Sequence, residues 1–175
     1  GELWVKAGTY TAATGPVLAM RPGVHLYGGF SGGETAREQR DWNAHPAVID
    51  GERVRRCIQG ADGALLDGFT VARGAADSGG GMYVPSGSLT VQNCLFHDNS
   101  AQVDASAMLF GACSRPTIVN CVIFNNSGES IYNAAVYWEY AVPTFISSVI
   151  FGNRTLDGAG SRDIACYASV PLLKN

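Results

Sequence analysis

The feature that most constrains this chain is a repeat of 27 residues in its second half. Residues 115–126 read RPTIVNCVIFNN, and residues 142–153 read VPTFISSVIFGN. At this offset, without a gap, Pro116 aligns with Pro143, Thr117 with Thr144, Ile118 with Phe145, Val122 with Val149, Ile123 with Ile150, Phe124 with Phe151 and Asn126 with Asn153. A period of this length indicates stacked units, each burying its apolar face against its neighbours.

The same pattern continues towards the N-terminus. Residues 91–99 align with residues 118–126 at an offset of 27, and residues 66–74 align with residues 91–99 at an offset of 25. Another column is predicted to contain Tyr83, Phe110, Tyr137 and Ile164, with Cys57-Ile58 opposite Met82-Tyr83. The runs between repeated positions alternate in polarity and are too short for helices. We therefore predict an all-β fold, a single-stranded parallel β-helix (a solenoid) with coils of about 25–27 residues.

Two columns of Gly and Asn mark the predicted bends between strands. One contains Gly68, Asn93 and Asn120, and the other contains Gly74, Asn99, Asn126 and Asn153. Gly and Asn are the residues that best tolerate left-handed backbone. Stacked Asn side chains also hydrogen-bond along a column. We therefore expect sharp bends at both columns and an Asn ladder along the second.

A single β-helix domain is predicted over residues 1–175, with regular coils over residues 53–175 and irregular N-terminal coils over residues 1–52. Strands are expected at residues 3–5, 17–20 and 24–26, with a bend at Gly28-Gly29. A polar loop over residues 30–46 is expected to contain one helical turn at residues 35–40, with Arg40 paired to Asp41. Because the sequence begins and ends in strand-like segments, we expect a fragment of a longer protein or a domain with open ends.

The composition argues against several classes of function. Charged residues make up 15% of the chain and the formal net charge is −3, so the basic surface that nucleic acids require is missing. No segment resembles a membrane span or a signal peptide. The densest basic cluster, Arg53, Arg55 and Arg56, is expected to be a solvated turn, with contact to an acidic glycan as the alternative.

Several segments resemble a known group of proteins. LWVKAGTY, GVHLYGGFSGGET, QRDW, VIDG and LLDGFTV resemble the opening of bacterial secreted and surface proteins with pectin-lyase-like right-handed β-helices. Gly79-Gly80-Gly81-Met82 approximates the GGA(I/L) motif of polymorphic outer-membrane proteins, and Phe96-His97-Asp98-Asn99 fits their FxxN motif. The resemblance covers nearly the whole chain and implies a right-handed helix and a secreted or cell-surface location. It specifies no activity, since the fold serves adhesins, enzymes and scaffolds alike.

No catalytic constellation is predicted. A glycan-cleaving site needs two carboxylates about 5–9 Å apart, but the repeat places Asp98 over Asn125, Asp104 over Ile131 and Glu139 under Ala112. The histidines lie on different elements, and His97 is expected to replace an aromatic residue in the column of Phe124 and Phe151. We predict no metal and no cofactor, with Ca²⁺ at the Asp98-Asn99 turn as the alternative to a solvated turn.

Cys94 and Cys121 occupy the same position on successive coils. Side-by-side strands point both thiols the same way, so we expect free, buried thiols rather than a disulfide.

The aromatic residues Tyr132, Tyr137, Trp138 and Tyr140 are candidates for sugar stacking. Tyr137 is assigned to a structural column. This leaves Trp138 and Tyr140, in a predicted turn, as the candidate ligand-binding residues, with packing in the core or a loop as the alternative.

One face of the coils is apolar in either strand register. If Cys94 and Phe96 point inward, the outward patch consists of Leu95, Val122, Phe124, Val149 and Phe151; the opposite register exposes Phe96, Ile123 and Ile150. Strands that are apolar on both faces are normally covered on both. We expect this patch to be covered by a second copy of the chain or by the loop 30–46. Association through open coil ends is a further expectation.

The sequence favours a non-enzymatic surface or secreted module that serves as a scaffold, adhesin or glycan-binding surface. The alternative is a polysaccharide lyase or glycoside hydrolase whose catalytic residues are divergent or missing. Carbohydrate and a second copy are the expected partners, and nucleic acid is not.

Overall fold

The computed structural model describes residues 1–130, 134–155, 163–167 and 172–174. Its only helical segment within these ranges is a 3₁₀ turn at Arg37–Gln39, and no helix in them is long and apolar enough to cross a membrane. The strands are β1 (Glu2–Lys6), β2 (Gly8–Tyr10), β3 (Leu18–Ala19), β4 (His25–Phe30), β5 (Ala47–Asp50), β6 (Ile58–Gln59), β7 (Leu65–Asp67), β8 (Phe69–Ala72), β9 (Ala75–Ser78), β10 (Met82–Val84), β11 (Thr90–Gln92), β12 (Leu95–His97), β13 (Ser100–Asp104), β14 (Met108–Phe110), β15 (Thr117–Val119), β16 (Val122–Phe124), β17 (Ser127–Gly128), β18 (Val136–Glu139), β19 (Thr144–Ile146), β20 (Val149–Phe151), β21 (Arg154–Thr155), β22 (Ile164–Tyr167) and β23 (Leu172–Lys174).

These strands form four parallel sheets that run along one solenoid. Sheet A has the order β1-β4-β7-β11-β15-β19-β23, and sheet B has the order β2-β5-β8-β12-β16-β20. Sheet D has the order β21-β17-β13-β9, and sheet C has the order β22-β18-β14-β10-β6-β3. Each regular coil contributes one strand to A, B, D and C in turn. The predicted all-β parallel solenoid is confirmed.

Alternating side chains give the coils one continuous core. Residues that point inward are buried, among them Leu66, Val91, Ile118 and Phe145 of sheet A, Val71, Phe96 and Ile123 of sheet B, and Met82, Met108 and Val136 of sheet C. Burial of each such side chain contributes about 1.5–3 kcal/mol. A single coil cannot cover its own apolar side chains, so stability comes from stacking coils about 4.8 Å apart.

The predicted Asn ladder is present at the bend after sheet B. The side-chain amide of Asn99 donates to Oδ1 of Asn126 at 2.9 Å, and Asn126 donates to Oδ1 of Asn153 at the same distance. Their backbone N–H groups donate to the same oxygens at 3.0 Å. All three side chains are buried, so the ladder satisfies polar groups that would otherwise be unpaired in the core.

The left-handed backbone at this bend lies one residue earlier than predicted. It falls at Arg73, Asp98, Asn125 and Gly152, whereas the ladder residues that follow them do not have positive φ. At the other bend the prediction is correct, since Gly68, Asn93 and Asn120 all have positive φ. The Asn residues of the ladder are therefore selected for their buried amides, not for backbone freedom.

The predicted register of sheet C is wrong by one residue. Tyr83 pairs with Leu109 rather than Phe110, and Leu109 pairs with Tyr137, so successive offsets are 26 and 28. Ile58 likewise pairs with Met82 rather than Tyr83. From sheet D to sheet C the chain advances eight residues between Ser100 and Met108 but nine between Ser127 and Val136. From sheet C to sheet A it advances nine residues between Met108 and Thr117 but eight between Val136 and Thr144, so sheet C shifts while sheets A and B stay in step.

The expected bend at Gly28-Gly29 takes the form of a bulge within β4: Gly29 has a φ of 96°, and the pairing with β1 shifts register between Tyr27 and Phe30. A Cβ on Gly29 would lie 2.7 Å from the backbone nitrogen of Trp42, so glycine leaves room for the loop. One expectation for the N-terminal coils is wrong. Arg40 does not pair with Asp41. Its guanidinium instead contacts the carboxylate of Asp67 at 2.6 Å, and Asp41 accepts the backbone N–H groups of Asn43 and Ala44.

Candidate functional site

The outward face of sheet B carries an apolar strip two side chains wide. Phe96 and Ile123 point inward, as in the first of the two predicted registers. The strip, defined as the outward residues of β12, β16 and β20, consists of Leu95, His97, Val122, Phe124, Val149 and Phe151. Val149 is 54% exposed and Phe151 is 50% exposed, so the C-terminal end of the strip is open to solvent.

Three rings of the strip stack along the solenoid axis. The centroids of His97 and Phe124 are 5.3 Å apart, and those of Phe124 and Phe151 are 5.6 Å apart with nearly parallel planes. His97 therefore takes the place of an aromatic residue, as predicted. Because the faces of the rings stack against each other, their edges point outward and form an apolar ridge.

Polar side chains flank the strip on both sides, at the two left-handed bends. On the side of sheet A, Asn120 donates to Oδ1 of Asn93 at 2.8 Å, and Asn93 donates to Asp67 at the same distance. On the opposite side, Asn125 donates to Asp98, which also contacts Nδ1 of His97 at 2.6 Å. Amides and a carboxylate thus border the apolar surface at the levels of β12 and β16, whereas the bend positions that flank β20 are Ser147 and Gly152.

The loop 30–46 forms a wall at the N-terminal end of the strip. Trp42 and Asn43, with Thr70, Leu95, Val122 and the amides of Asn93 and Asn120, line a groove of about 340 Å³. The predicted cover by this loop is therefore found at one end only, since Val149 and Phe151 remain exposed.

Arg40 fixes the position of Trp42. Its guanidinium lies 5.2 Å from the ring centre of Tyr27 and 4.8 Å from that of Trp42. It also donates to the backbone oxygens of Gly28 and Asp67, both at 3.1 Å. The Asp67 carboxylate is 2% exposed and receives further hydrogen bonds from Gln92 and Asn93, so Arg40 neutralises a buried charge.

Comparison with known families agrees with this architecture. The family model described as "Right handed beta helix region" matches residues 47–168, well over half of the chain. The chain belongs to the right-handed β-helix family. No curated protein and no solved structure matches it. Membership of the right-handed β-helix family establishes the fold and leaves the activity open, because activity depends on the side chains of a site.

Of the two aromatic candidates that the sequence suggested, the right-handed β-helix buries Trp138 and leaves Tyr140 exposed. Trp138 lies in β18, not in a turn, and its side chain is fully buried beside Phe145, because of the shifted register of sheet C. A ring without exposed surface cannot stack on a sugar. Tyr140 is 55% exposed but follows sheet C, away from the strip, and Tyr132 lies outside the described residues.

In the basic cluster of Arg53, Arg55 and Arg56, the prediction of a solvated turn is wrong for Arg56. The guanidinium of Arg56 donates to the backbone oxygens of Ser78 and Gly79 at 2.7 and 3.0 Å, and it lies over the ring of Tyr83. Burial lowers the pKa of Arg56. This residue is therefore a partly buried link between coils and not part of a solvated turn.

Acidic and thiol groups elsewhere in the β-helix form no metal cluster among the described residues. Asp104 and Glu139 interact, which the sequence register did not predict: burial, then the charge of Glu139, raises the pKa of Asp104.

Cys94 and Cys121 are free, buried thiols, as expected. Burial raises the pKa of Cys94 well above its ordinary value, which disfavours the reactive thiolate form.

Sequence reasoning missed Trp42, Asn93 and Asn120 as site residues. The amides were recognised as bend residues, and their repetition beside the apolar columns was a signal that a polar border follows the strip. Trp42 gave no such signal, because the irregular loop has no counterpart in the repeat.

Proposed function

We propose that this right-handed β-helix protein is a non-enzymatic carbohydrate-binding module, and that the strip on sheet B is its binding surface. One observation carries the proposal: an exposed apolar ridge is bordered by Asn93 and Asn120 on one side and by Asp98 and Asn125 on the other, and it is closed at one end by Trp42. Sugars present apolar C–H faces and a rim of hydroxyl groups. Binding sites for such ligands combine apolar surface with a few placed polar groups.

The exposed amides beside the strip can form further hydrogen bonds to a ligand. Each Asn side chain offers two donors and two acceptor lone pairs. Asn120 and Asn125 are both exposed, and each donates one hydrogen bond along its column. Their remaining donors and acceptors are suited to hydroxyl groups of a sugar that lies on Val122 and Val149.

The length of the strip suits an oligosaccharide. Its three coils, about 4.8 Å apart, give a ridge about 10 Å long on which an aliphatic side chain and a ring recur at each step. A polymer of similar units is matched by such a periodic surface. We propose a secreted or cell-surface location for this activity, supported by the resemblance of the N-terminal segments to secreted and surface proteins.

Binding to an array of neutral and acidic oligosaccharides tests the proposal. We expect retention of the protein without cleavage, and about a threefold to fivefold loss of affinity in Val149→Ser, since it removes apolar surface from the ridge. Asn120→Ala should weaken binding to a similar extent by removing a hydrogen bond. The matched control is Val103→Ser, because Val103 is 51% exposed on β13, away from the strip.

Four results would contradict this function. Absence of binding across the array would do so, as would equal effects of the Val149 and Val103 substitutions. New reducing ends or unsaturated products would support the alternative, a polysaccharide lyase or glycoside hydrolase. Light scattering tests whether a second copy of the chain occupies the strip instead of a glycan. A native dimer that Val149→Ser converts to a monomer would show that it does.

A further inference from the structure

The charges around the strip are unequally compensated. Arg40 is held by the buried carboxylate of Asp67. Arg73, which precedes Asp98 by one coil in the same bend column, gives both its Nε and an Nη atom to the Asp50 carboxylate. Both of these arginines therefore have carboxylate partners of their own.

Asp98 has no such cationic partner from lysine or arginine among the described residues. Its carboxylate contacts the ring of His97 and the amide of Asn125, and its side chain is 32% exposed. The next position in the column is Gly152, which adds no charge. A ligand on the strip therefore meets a border of amides and one carboxylate.

We infer that Asp98 is a specificity-determining residue, which makes the strip select neutral glycans over polyuronates. This inference rests on the proposed carbohydrate-binding function. A uronate carboxylate placed on the strip would repel Asp98 across a few ångströms at the protein surface. Such repulsion amounts to about 1 kcal/mol at 4 Å in bulk water and more near the surface, equivalent to about fivefold or more in affinity. Arg154, an exposed cation, follows the strip on β21 but belongs to sheet D.

Asp98→Asn is a conservative probe of this role. Asn already occupies the equivalent position at residue 125 with nearly the same φ, 52° against 55° for Asp98. An Asn side chain can accept from Asn125 and donate to Nδ1 of His97, so the column is kept. Glu129→Gln is the matched control, because it removes one negative charge from an exposed residue beyond sheet D.

The experiment is titration calorimetry with neutral cello-, xylo- and galacto-oligosaccharides and with oligogalacturonates of equal length. The native chain should prefer a neutral ligand. Asp98→Asn should raise the ratio of oligogalacturonate affinity to neutral-glycan affinity about fivefold. At high salt the gain should shrink, because exposed charges are screened. Glu129→Gln should produce no comparable gain.

The outcomes separate this inference from the function on which it rests. Preference of the native chain for oligogalacturonate, or an equal gain from Asp98→Asn and Glu129→Gln, overturns the role of Asp98 while carbohydrate binding stands. No binding of any of the glycans overturns both. If Asp98→Asn abolishes the binding of neutral glycans, the inferred role of Asp98 in selectivity is also overturned, since the residue would then contact the ligand directly.

Discussion

The two ends of the sheet B face are stabilised by different means. At the N-terminal end, charged pairs link segments distant in sequence: Arg40 with Asp67 and Arg73 with Asp50. Towards the C-terminal end, identical or similar side chains stack instead, as amides inside and as rings outside. Where coils are alike, a residue is satisfied by its own copy in the next coil. Where coils are irregular, a loop and ion pairs take over that role.

The same contrast applies to solvent exposure. The loop 30–46 walls off the N-terminal end through Trp42, whereas Val149 and Phe151 remain open. A chain that covers one end of an apolar face and leaves the other exposed has an asymmetric surface. In the proposed function, the exposed end receives the ligand and the wall sets where the ligand stops.

The largest effect is expected from a break in the internal ladder of the regular half. Asn126→Ala removes the partner of Asn99 and leaves buried donors and acceptors unpaired. With roughly 1–3 kcal/mol for each unsatisfied group, the free energy of unfolding should fall by about 4 kcal/mol. Urea denaturation measures this loss. A loss below about 1 kcal/mol would show that the ladder is not a main source of stability.

A smaller effect is expected from Arg40→Ala at the irregular end. The substitution leaves the buried Asp67 carboxylate without its cation, which typically lowers the free energy of unfolding by about 3 kcal/mol. The loop should also lose the contacts that position Trp42, so the emission of that residue should shift towards its solvent-exposed value. Arg37→Ala is the control, since Arg37 pairs on the exposed surface with Glu2. An equal loss in both variants would contradict the assigned role of Arg40.

These features differ in how far the sequence could predict them. The ladder and the stacked rings were predictable, because repetition itself pairs Asn126 with Asn153 and Phe124 with Phe151. The pair of Arg40 with Asp67 was not, since a contact between an irregular loop and a regular coil leaves no periodic trace. Trp138 was misplaced because sheet C follows turns of variable length, so a fixed offset of 27 does not hold there.

Acid should act on the irregular end first. The Arg73 guanidinium lowers the pKa of Asp50 below its ordinary value of 3.8, mainly through their hydrogen bond. Because the folded pKa is lower than the unfolded one, this contribution to stability is present above that value and disappears as the pH falls through the folded pKa. Arg73→Gln should therefore reduce stability at pH 7 and reduce the stability lost between pH 4 and lower values. An unchanged acid dependence in this variant would contradict the pairing.

The smallest effect on stability is expected at the exposed end. Phe151 is half exposed, so Phe151→Ala should change the free energy of unfolding by less than about 1 kcal/mol while it weakens glycan binding. The internal counterpart is Ile123→Ala, which should lower stability by about 3 kcal/mol. Thermal unfolding of the two variants distinguishes surface from core. Similar losses in both would mean that Phe151 is covered in solution.

The most direct test of the proposed surface is a two-dimensional NMR titration of the side-chain amides with the tightest-binding oligosaccharide. The amide signals of Asn120 and Asn125 should move in a saturable way, whereas those of the buried Asn99, Asn126 and Asn153 should stay in place. Saturable shifts confined to other residues, such as those around Tyr140, with Asn120 and Asn125 unmoved, would contradict the assignment of the sheet B strip as the binding surface.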